Sequence, residues 1–394
     1  MKKYVVQIIS LCGLISCSLG ICFNSQGVFF EAASRDLNVM VGTFSMQNTI
    51  SYIITSFGAV YVARIIPKVN YRCLLFCGAL MTGASFIIMG FTSSLIVFYI
   101  LGIIRGIGAA AFAVAVVTIG INNWFKEKTG FITSIVFSTS GIVGMLLPPL
   151  FSYIIDSYSW RVAYMIMGGI SFTLILPALV SGFTIHPEIS GRKAYGESQA
   201  KMEAAAGEEA GSCIVFGALV GIAVIYNIIL GFAQHLPVFC VSRGFGSQAG
   251  AVMLSMCMLG NVAFKLLSGN VSDKAGPVKT ILLMVGVNVC ALAAMFSATG
   301  ILVLNIASFL FGVMYAVATV CLSLLTAAFF TGEMYNKKFP AISFAGGLAQ
   351  SIAVSVLGYI YDYSGSYNVV LILLLILHLS GFILLSMFAG RKKI

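Results

Sequence analysis

Long apolar runs recur along the whole chain, separated by short polar segments. A membrane-spanning helix needs roughly 20 consecutive apolar residues, and twelve runs have about this length or more. They are too long and too continuously apolar to be strands of a membrane barrel. The pattern therefore predicts an all-α membrane protein with twelve transmembrane helices. The runs are 4–30, 40–63, 73–91, 95–124, 130–155, 162–185, 212–241, 247–272, 279–298, 301–330, 339–361 and 367–389.

The composition favours a membrane protein and excludes a soluble one. Hydrophobic residues fill 60% of the 394 positions and charged residues only 9%, so the chain lacks the polar surface that a soluble globule needs. The first apolar run follows Met1, Lys2 and Lys3 directly, but it is too long for a signal peptide and no A-x-A site closes it. We therefore expect this run to be an uncleaved first transmembrane helix.

Basic residues collect on one side of the predicted topology. If both termini are cytoplasmic, 17 of the 22 Lys and Arg residues lie in cytoplasmic segments, and only Arg35, Arg161 and Arg243 lie outside. This asymmetry is the positive-inside bias, and it explains the net charge of +10 without a nucleic-acid partner. The sequence predicts a multi-pass protein of the cell membrane with cytoplasmic N and C termini.

One long hydrophilic segment, 186–211, divides the predicted helices six and six. It carries five glutamates and an alanine-glycine stretch, which are typical of a flexible linker. Residues 153–156 (YIID) and 359–362 (YIYD) align at a shift of 206 residues, and internal repeats of this kind are common in transporters. We predict two pseudo-symmetric six-helix bundles, 1–185 and 212–394, joined by a cytoplasmic linker.

Only two charged residues, Arg105 and Lys265, lie deep inside the predicted helices. A charge at the bilayer centre costs at least ~2.5–3.5 kcal/mol, and the apolar runs contain no Asp or Glu to pair with either cation. A transported anion is the simplest group that would offset this cost. Two other interpretations stay open: Lys265 could extend its amine to the membrane surface, and Arg105 could bond neighbouring backbone or polar groups.

Two motifs resemble those of the major facilitator superfamily. The segment GNVSDKAG matches its G-x-x-x-D-R/K-x-G loop, which the resemblance implies to be a latch between helices that separate during transport. The match is carried by Gly269, Asp273, Lys274 and Gly276. Arg105 begins the segment RGIGAA, which resembles an arginine and small-residue motif of the superfamily. Dinucleotide binding is excluded there because no strand precedes the glycines.

Within that superfamily the chain is similar to the branch of monocarboxylate transporters and oxalate/formate exchangers. The similarity is carried by residues 23–30 (FNSQGVFF) and by Lys265, which stands where the branch has a substrate-binding arginine. Asn24 and Asn261 stand where animal members have a lysine and an acid. Residues 339–361, where the exchangers carry a second lysine, are uncharged. With one matching cation, the resemblance implies a monoanion as the substrate.

Further polar side chains are expected on helices that line the central cavity in the superfamily. Asn261 lies one helical turn before Lys265, on the same face. Amide and phenol groups are suited to orienting a carboxylate or hydroxyl. The other candidates are Asn24, Gln26, Tyr226, Asn227 and Tyr315. We expect His235 and His378 at the membrane interface or on the lipid side rather than as proton carriers.

The leading hypothesis is a secondary transporter that moves a small organic anion by alternating access, through proton-linked symport or anion exchange. The alternatives are a carrier that exports hydrophobic drugs and a non-transporting sensor on the same fold. The chain has no H-E-x-x-H, no G-x-S-x-G and no paired intramembrane acids. We therefore expect no enzyme activity, no catalytic residue, no metal site and no cofactor. The expected partners are the anion, the lipid bilayer and, in symport, protons; we expect a monomer that binds no nucleic acid.

Overall fold

The computed structural model describes residues 4–127, 129–191, 193–196, 213–330 and 332–389. Within these ranges the chain forms helices and turns, with one isolated bridge between Phe125 and Tyr195 and no strand. Eleven helical segments are long and apolar enough to cross a membrane. The remaining predicted span, the second, 40–63, is also one continuous helix, but it is more polar because it contains Gln47, Asn48 and Ser51. The prediction of an all-α membrane fold is confirmed.

The chain forms two compact units, Met1–Asn38 with Met46–Glu203 and Val39–Ser45 with Ala204–Ile394. The α-helices before the predicted linker are α1 (Val5–Ile15), α2 (Val28–Asp36), α3 (Val41–Ile65), α4 (Tyr71–Met89), α5 (Leu95–Ala110), α6 (Val114–Trp124), α7 (Thr129–Ser157) and α8 (Trp160–Val180). Those after it are α9 (Cys213–Gly231), α10 (Leu236–Ser242), α11 (Ser247–Ala275), α12 (Pro277–Ser297), α13 (Ile301–Phe311), α14 (Val313–Ala316), α15 (Leu322–Phe329), α16 (Gly332–Ser364) and α17 (Tyr367–Ala389). The predicted linker, 186–211, lies largely outside the described residues.

Four predicted membrane helices are interrupted, and they are the first and fourth of each set of six. The first contains a π-helical stretch, Ser16–Asn24, and the fourth breaks at 111–113 between α5 and α6. The seventh is interrupted by a 3-10 turn, Phe232–His235, and the tenth by α14 and a π-helical stretch, Val317–Cys321. Interrupted helices at matching positions of two halves are typical of transporter binding sites. The sequence pattern did not predict these interruptions.

The segment that we predicted as a loop after the eighth span is mostly helical. α11 continues to Ala275, so Gly269, Asp273 and Lys274 lie within it, and Gly276 alone separates it from α12. Charged residues do not end a helix, whereas Gly276 has φ +80 and Pro277 begins the next helix without needing an N–H partner. The predicted loop was therefore wrong in extent. The side chain of Asp273 lies outside the described part of the chain, so the latch stays a prediction from sequence.

The beginning of the predicted linker is attached to the first unit. A short 3-10 helix, Pro187–Ser190, precedes Tyr195. The Tyr195 N–H donates to the Trp124 carbonyl over 2.8 Å, and the Lys126 N–H donates to the Tyr195 carbonyl over 2.8 Å. The ring of Tyr4 packs edge-on against Tyr195 at 5.6 Å. These contacts order a segment that its composition alone suggested to be flexible.

A three-way polar contact ties three helix ends of the first unit together. The Asp36 carboxylate, at the end of α2, accepts from the Trp160 indole over 3.0 Å and from the Arg161 guanidinium, both at the start of α8. Arg161 also donates to the Ser93 hydroxyl before α5 over 2.8 Å. The guanidinium lies over the Trp160 ring, 4.2 Å from its centroid. The contact fixes the entry and exit of three membrane helices at one end of the unit.

The second unit has a corresponding contact with the basic residue at a different helix end. In the first unit the arginine is at the start of the last membrane helix, whereas in the second it follows the first membrane helix. Arg243, just after α10, donates to the Asn368 side chain over 2.8 Å at the start of α17. It also donates to the carbonyls of Met295 and Phe296 at the end of α12. Asp36 and Arg243 are 207 residues apart, as are Arg161 and Asn368. The repeat thus preserves a tie between the same helix ends rather than the identity of its residues.

We predict that Asp36→Asn lowers the thermal unfolding temperature of the purified protein and removes part of its acid sensitivity. The Arg161 guanidinium, and next the Trp160 indole, hold the pKa of Asp36 below its ordinary value. Such a carboxylate contributes stability above its unfolded-state pKa of about 3.9, and the contribution is lost as pH falls through the folded value. The effect should be small, because 48% of the Asp36 side chain is exposed. The unfolding temperatures of wild type and Asp36→Asn, compared at pH values above and below about 3.9, measure this effect.

A matched control for this experiment is Glu31→Gln. Glu31 pairs with Arg35 on the same helix over 3.9 Å, and Arg35 is 85% exposed, so removing this pair should leave stability unchanged. Equal losses in the two variants, or no loss in Asp36→Asn, would show that the three-way contact does not stabilise the unit.

Candidate functional site

The central contact of the second unit is a close crossing of α11 against α13 and α14. A Cβ atom on Gly312 would lie 2.6 Å from the backbone nitrogen of Asn261 and 2.8 Å from the carbonyl carbon of Gly260. A Cβ atom on Gly260 would collide with the Phe309 carbonyl. Only glycine allows two helix backbones to approach this closely. The crossing brings the face of α11 that carries Asn261 and Lys265 next to α14.

Lys265 lies beside Tyr315 in this crossing. Its ammonium nitrogen is 5.9 Å from the centroid of the Tyr315 ring, at the outer limit for attraction between a cation and an aromatic face. The side chain is partly accessible, whereas Tyr315 is 6% exposed. Among the described residues, no ion pair and no hydrogen bond satisfies the ammonium group. The charge is therefore available to a ligand.

Asn261 adds an unused amide to the same face. It is 2% exposed, and its Oδ1 atom has no partner among the described residues. Its Nδ2 atom has only a long contact of 3.9 Å with the sulfur of Met258. A buried polar atom without a partner costs roughly 1–3 kcal/mol. We call Asn261, Lys265 and Tyr315 the Lys265 cluster; it combines one cation, one unsatisfied amide and one phenol.

Two neighbouring candidates on α9 point in different directions. The Asn227 amide donates to the Ala223 carbonyl over 2.8 Å and packs on Gly346 of α16. The Tyr226 hydroxyl faces α17, where a Cβ atom on Gly381 would lie 2.9 Å away. Consecutive helical residues diverge by about 100°, so the pair could not face one ligand together. The structure gives Asn227 a local backbone partner and places Tyr226 in a contact between helices.

The candidates on the first membrane helix lie at its interruption in the first unit. Gln26 is fully buried and donates to the Ile21 carbonyl over 2.9 Å, while its Oε1 atom has no partner among the described residues. Ser25 similarly donates to the Gly20 carbonyl over 2.8 Å. Asn24 donates to the Ser140 carbonyl of α7 over 3.3 Å. These side chains satisfy backbone groups that an interrupted membrane helix would otherwise leave unpaired.

Arg105 lies in the interior of the first unit and is 0% exposed. Its Nε donates to the Ser51 hydroxyl over 3.0 Å, and its Nη2 donates to the Asn48 side-chain oxygen over 2.7 Å. The guanidinium also lies over the Phe86 ring at 4.9 Å. All of these partners are neutral, and the described residues form no ion pair with Arg105. Arg105 is thus more enclosed than Lys265.

Two polar features escaped the sequence interpretation. Asn48 and Ser51 were not recognised as partners of Arg105, although polar residues one turn apart in an apolar span were a usable signal. The histidines were placed wrongly at the interface or lipid side. His235 is fully buried between the Tyr367 hydroxyl at 2.9 Å and the Val354 carbonyl at 2.6 Å, and His378 is 3% exposed and bonded to Asn288. Their partners are too distant in sequence for local patterns to reveal.

Comparison with known proteins identifies relatives among transporters. Monocarboxylate transporter 11 of Homo sapiens is 24% identical over 266 residues, which cover 65% of this chain and 52% of that protein. Monocarboxylate transporter 13 of Rattus norvegicus is 22% identical over 358 residues, which cover 87% of this chain and 79% of that protein. The chain spans 52% and 58% of the length of the human and mouse forms of monocarboxylate transporter 11.

Solved structures share the fold at low sequence identity. A crystal structure of the nucleoside transporter NupG matches with a TM-score of 0.72 and 12% identity, covering 98% of each chain. A bacterial homologue of the human lysosomal transporter Spinster matches with a TM-score of 0.66 and 11% identity, covering 100% of this chain and 97% of that chain.

A family profile decides the assignment. The profile of the Major Facilitator Superfamily matches residues 12–353, which is most of the chain. The resemblance to monocarboxylate transporters that the sequence motifs suggested is confirmed at low identity. The protein therefore belongs to the Major Facilitator Superfamily, and it is a multi-pass membrane protein.

Proposed function

We propose that the protein is a secondary transporter of a small organic monoanion, with a monocarboxylate as the substrate. The observation that carries this proposal is the Lys265 cluster, in which a cation without an acidic partner among the described residues adjoins an unsatisfied amide. A carboxylate would offset the charge of Lys265. The Asn261 amide could bond the second carboxylate oxygen or a neighbouring hydroxyl, since its O and N atoms can exchange places by rotation.

The relatives support the same substrate class. Monocarboxylate transporters from several animals are among the proteins similar to this chain, and Lys265 stands where the branch carries its substrate-binding arginine. A lysine engages a carboxylate as a point charge, whereas arginine can form two parallel bonds. We therefore expect Lys265 to select less strictly than an arginine for the orientation of the substrate carboxylate. The main requirement on the substrate would be that it carries one carboxylate group.

The coupling of transport follows from where the acids lie. No Asp or Glu falls within the apolar runs of the sequence, so no carboxyl group there is placed to carry a proton across. We propose either exchange of two anions or movement of the substrate together with its own proton. Alternating access would use the interrupted helices, which occupy matching positions in the two halves.

We further propose that both termini and the linker between the units are cytoplasmic, because the basic residues concentrate on that side. Single cysteines at Lys193 and Ser94 in a cysteine-depleted protein test this. Lys193 is exposed, and the side chain of Ser94, the N-cap residue of α5, makes no capping hydrogen bond. Cysteine at either position therefore removes no helix cap. An impermeant thiol reagent outside intact cells should label Ser94→Cys and spare Lys193→Cys. The reverse pattern would overturn the orientation.

We predict that Lys265→Gln weakens binding of a short monocarboxylate at least about tenfold, on the order of 1.4 kcal/mol. Glutamine keeps much of the length and polarity of lysine but removes the charge that attracts the anion. Lys265→Arg should retain part of the affinity, because guanidinium also binds carboxylates. Equilibrium binding to the purified proteins measures these effects, with thermal unfolding as the check that each variant is folded.

The matched control is Arg105→Gln, which removes the other intramembrane cation. On the proposal, monocarboxylate binding depends mainly on Lys265 and is affected less by the Arg105 variant. If Lys265→Gln binds as wild type while Arg105→Gln does not, the substrate carboxylate is held on α5 and the assignment to α11 is wrong.

A further inference from the structure

A polar cavity of about 220 Å³ lies at the end of α6, within the first unit. Pockets for drug-sized ligands usually measure about 300–1,000 Å³, so this cavity suits a smaller molecule. A water molecule in the liquid occupies about 30 Å³, and the space therefore corresponds to about seven waters. It has room for a phosphate group with a few further atoms. The polar residues that line it are Asn123, Lys126, His186, Glu188 and Lys193.

Hydrogen bonds hold the two walls of the cavity together. Asn123 Nδ2, on the α6 side, donates to the Ile185 carbonyl over 3.3 Å and lies 3.3 Å from His186 Nδ1. An amide nitrogen carries two hydrogens, so it can give the second one to Nδ1, and Nε2 is then the donor of the imidazole ring. The Lys126 N–H donates to the Tyr195 carbonyl over 2.8 Å. The end of α6 and the segment after α8 are thus fixed relative to each other around the cavity.

The charged residues around the cavity favour an anion. Lys126 and Lys193 are two positive residues, and Glu188 is one negative residue. Within the part of the chain that the structure describes, neither lysine ammonium group forms an ion pair. All three residues are exposed, so the cavity opens to water and a dissolved ligand can enter it. An excess of positive charge around a cleft attracts anions and repels cations.

We propose that this cavity binds a phosphate group carried on a short hydroxylated chain, with Lys126 and Lys193 on the phosphate and Glu188 on a hydroxyl. Lysine binds phosphate as a point charge. A carboxylate repels a bare phosphate but accepts hydrogen bonds from hydroxyl groups, so Glu188 favours the hydroxylated compound. A phosphoglycerol group has this chemistry, either as free glycerol 3-phosphate or as the headgroup of phosphatidylglycerol. The Lys265 cluster belongs to the second unit, so this site does not depend on the proposed substrate.

The test is equilibrium binding of glycerol 3-phosphate to the purified full-length protein in phosphatidylcholine nanodiscs at constant ionic strength. Wild type should bind it saturably and more tightly than inorganic phosphate. Lys126→Gln and Lys193→Gln should each weaken binding at least about fivefold, because each removes one charge that engages the phosphate. Glu188→Gln should bind inorganic phosphate more tightly than wild type does and lose the preference for glycerol 3-phosphate. Thermal unfolding checks that each variant is folded.

Two control variants separate this cavity from other cations of the protein. Lys68 is an exposed lysine of the first unit that does not line the cavity, so Lys68→Gln should bind glycerol 3-phosphate as wild type does. Lys265→Gln removes the cation of the Lys265 cluster and should also leave this binding unchanged. The proposal is overturned if wild type does not bind glycerol 3-phosphate, if both lysine variants of the cavity bind it as wild type does, or if either control weakens binding equally.

The lipid composition of the nanodiscs distinguishes the two sources of the phosphoglycerol group. If the cavity takes the lipid headgroup, adding phosphatidylglycerol to the nanodiscs should block binding of glycerol 3-phosphate to wild type. If it takes the free compound, binding should be the same with and without phosphatidylglycerol. Either result supports the proposed chemistry, and the comparison assigns its source.

Discussion

Arg105 and Lys265 are positive charges within apolar runs that contain no Asp or Glu. The free-energy cost of removing each charge from water determines which side chains must surround it in its unit. In the first unit neutral groups meet this cost: the Ser51 hydroxyl and the Asn48 side-chain oxygen accept hydrogen bonds from Arg105, and its guanidinium lies over the Phe86 ring. In the second unit, the contact that the described residues give the Lys265 ammonium group is a weak one with the Tyr315 ring, 5.9 Å from its centroid. An incompletely compensated charge is costly for stability but useful for binding, because an anion gains what the protein leaves unsatisfied.

The packing that places these charges depends on backbone contacts more than on large side chains. Gly260 and Gly312 let α11 approach α13 and α14 until Lys265 reaches Tyr315. In membranes the hydrophobic effect does not drive helices together, because lipid tails are as apolar as the helix surfaces. Small residues instead allow the close van der Waals packing that holds the helices together. The interrupted helices complete the arrangement, since side chains such as Ser25 and Gln26 take up the carbonyls that the interruption exposes. These side-chain bonds allow the membrane helices to be interrupted without leaving those carbonyls unpaired.

The sequence predicted the helices well because hydrophobic length alone decides whether a segment can span a membrane. It also placed Asn261 and Lys265 on one face, because that relation is local. It failed where distant contacts or backbone detail decide: Arg105 finds its partners 54 and 57 residues away, and α11 continues through Asp273 until Gly276 ends it. The burial of His235 and His378 likewise follows from helices that meet only in the folded unit.

The central claim is that unbalanced positive charge makes this protein selective for anions. The most direct measurement is calorimetric titration of the purified wild-type protein with three ligands of similar size: a short monocarboxylate, its neutral primary amide and a monovalent organic cation. The account predicts saturable binding of the carboxylate and at least about tenfold weaker binding of the other two. Equal or tighter binding of the amide or the cation would contradict it.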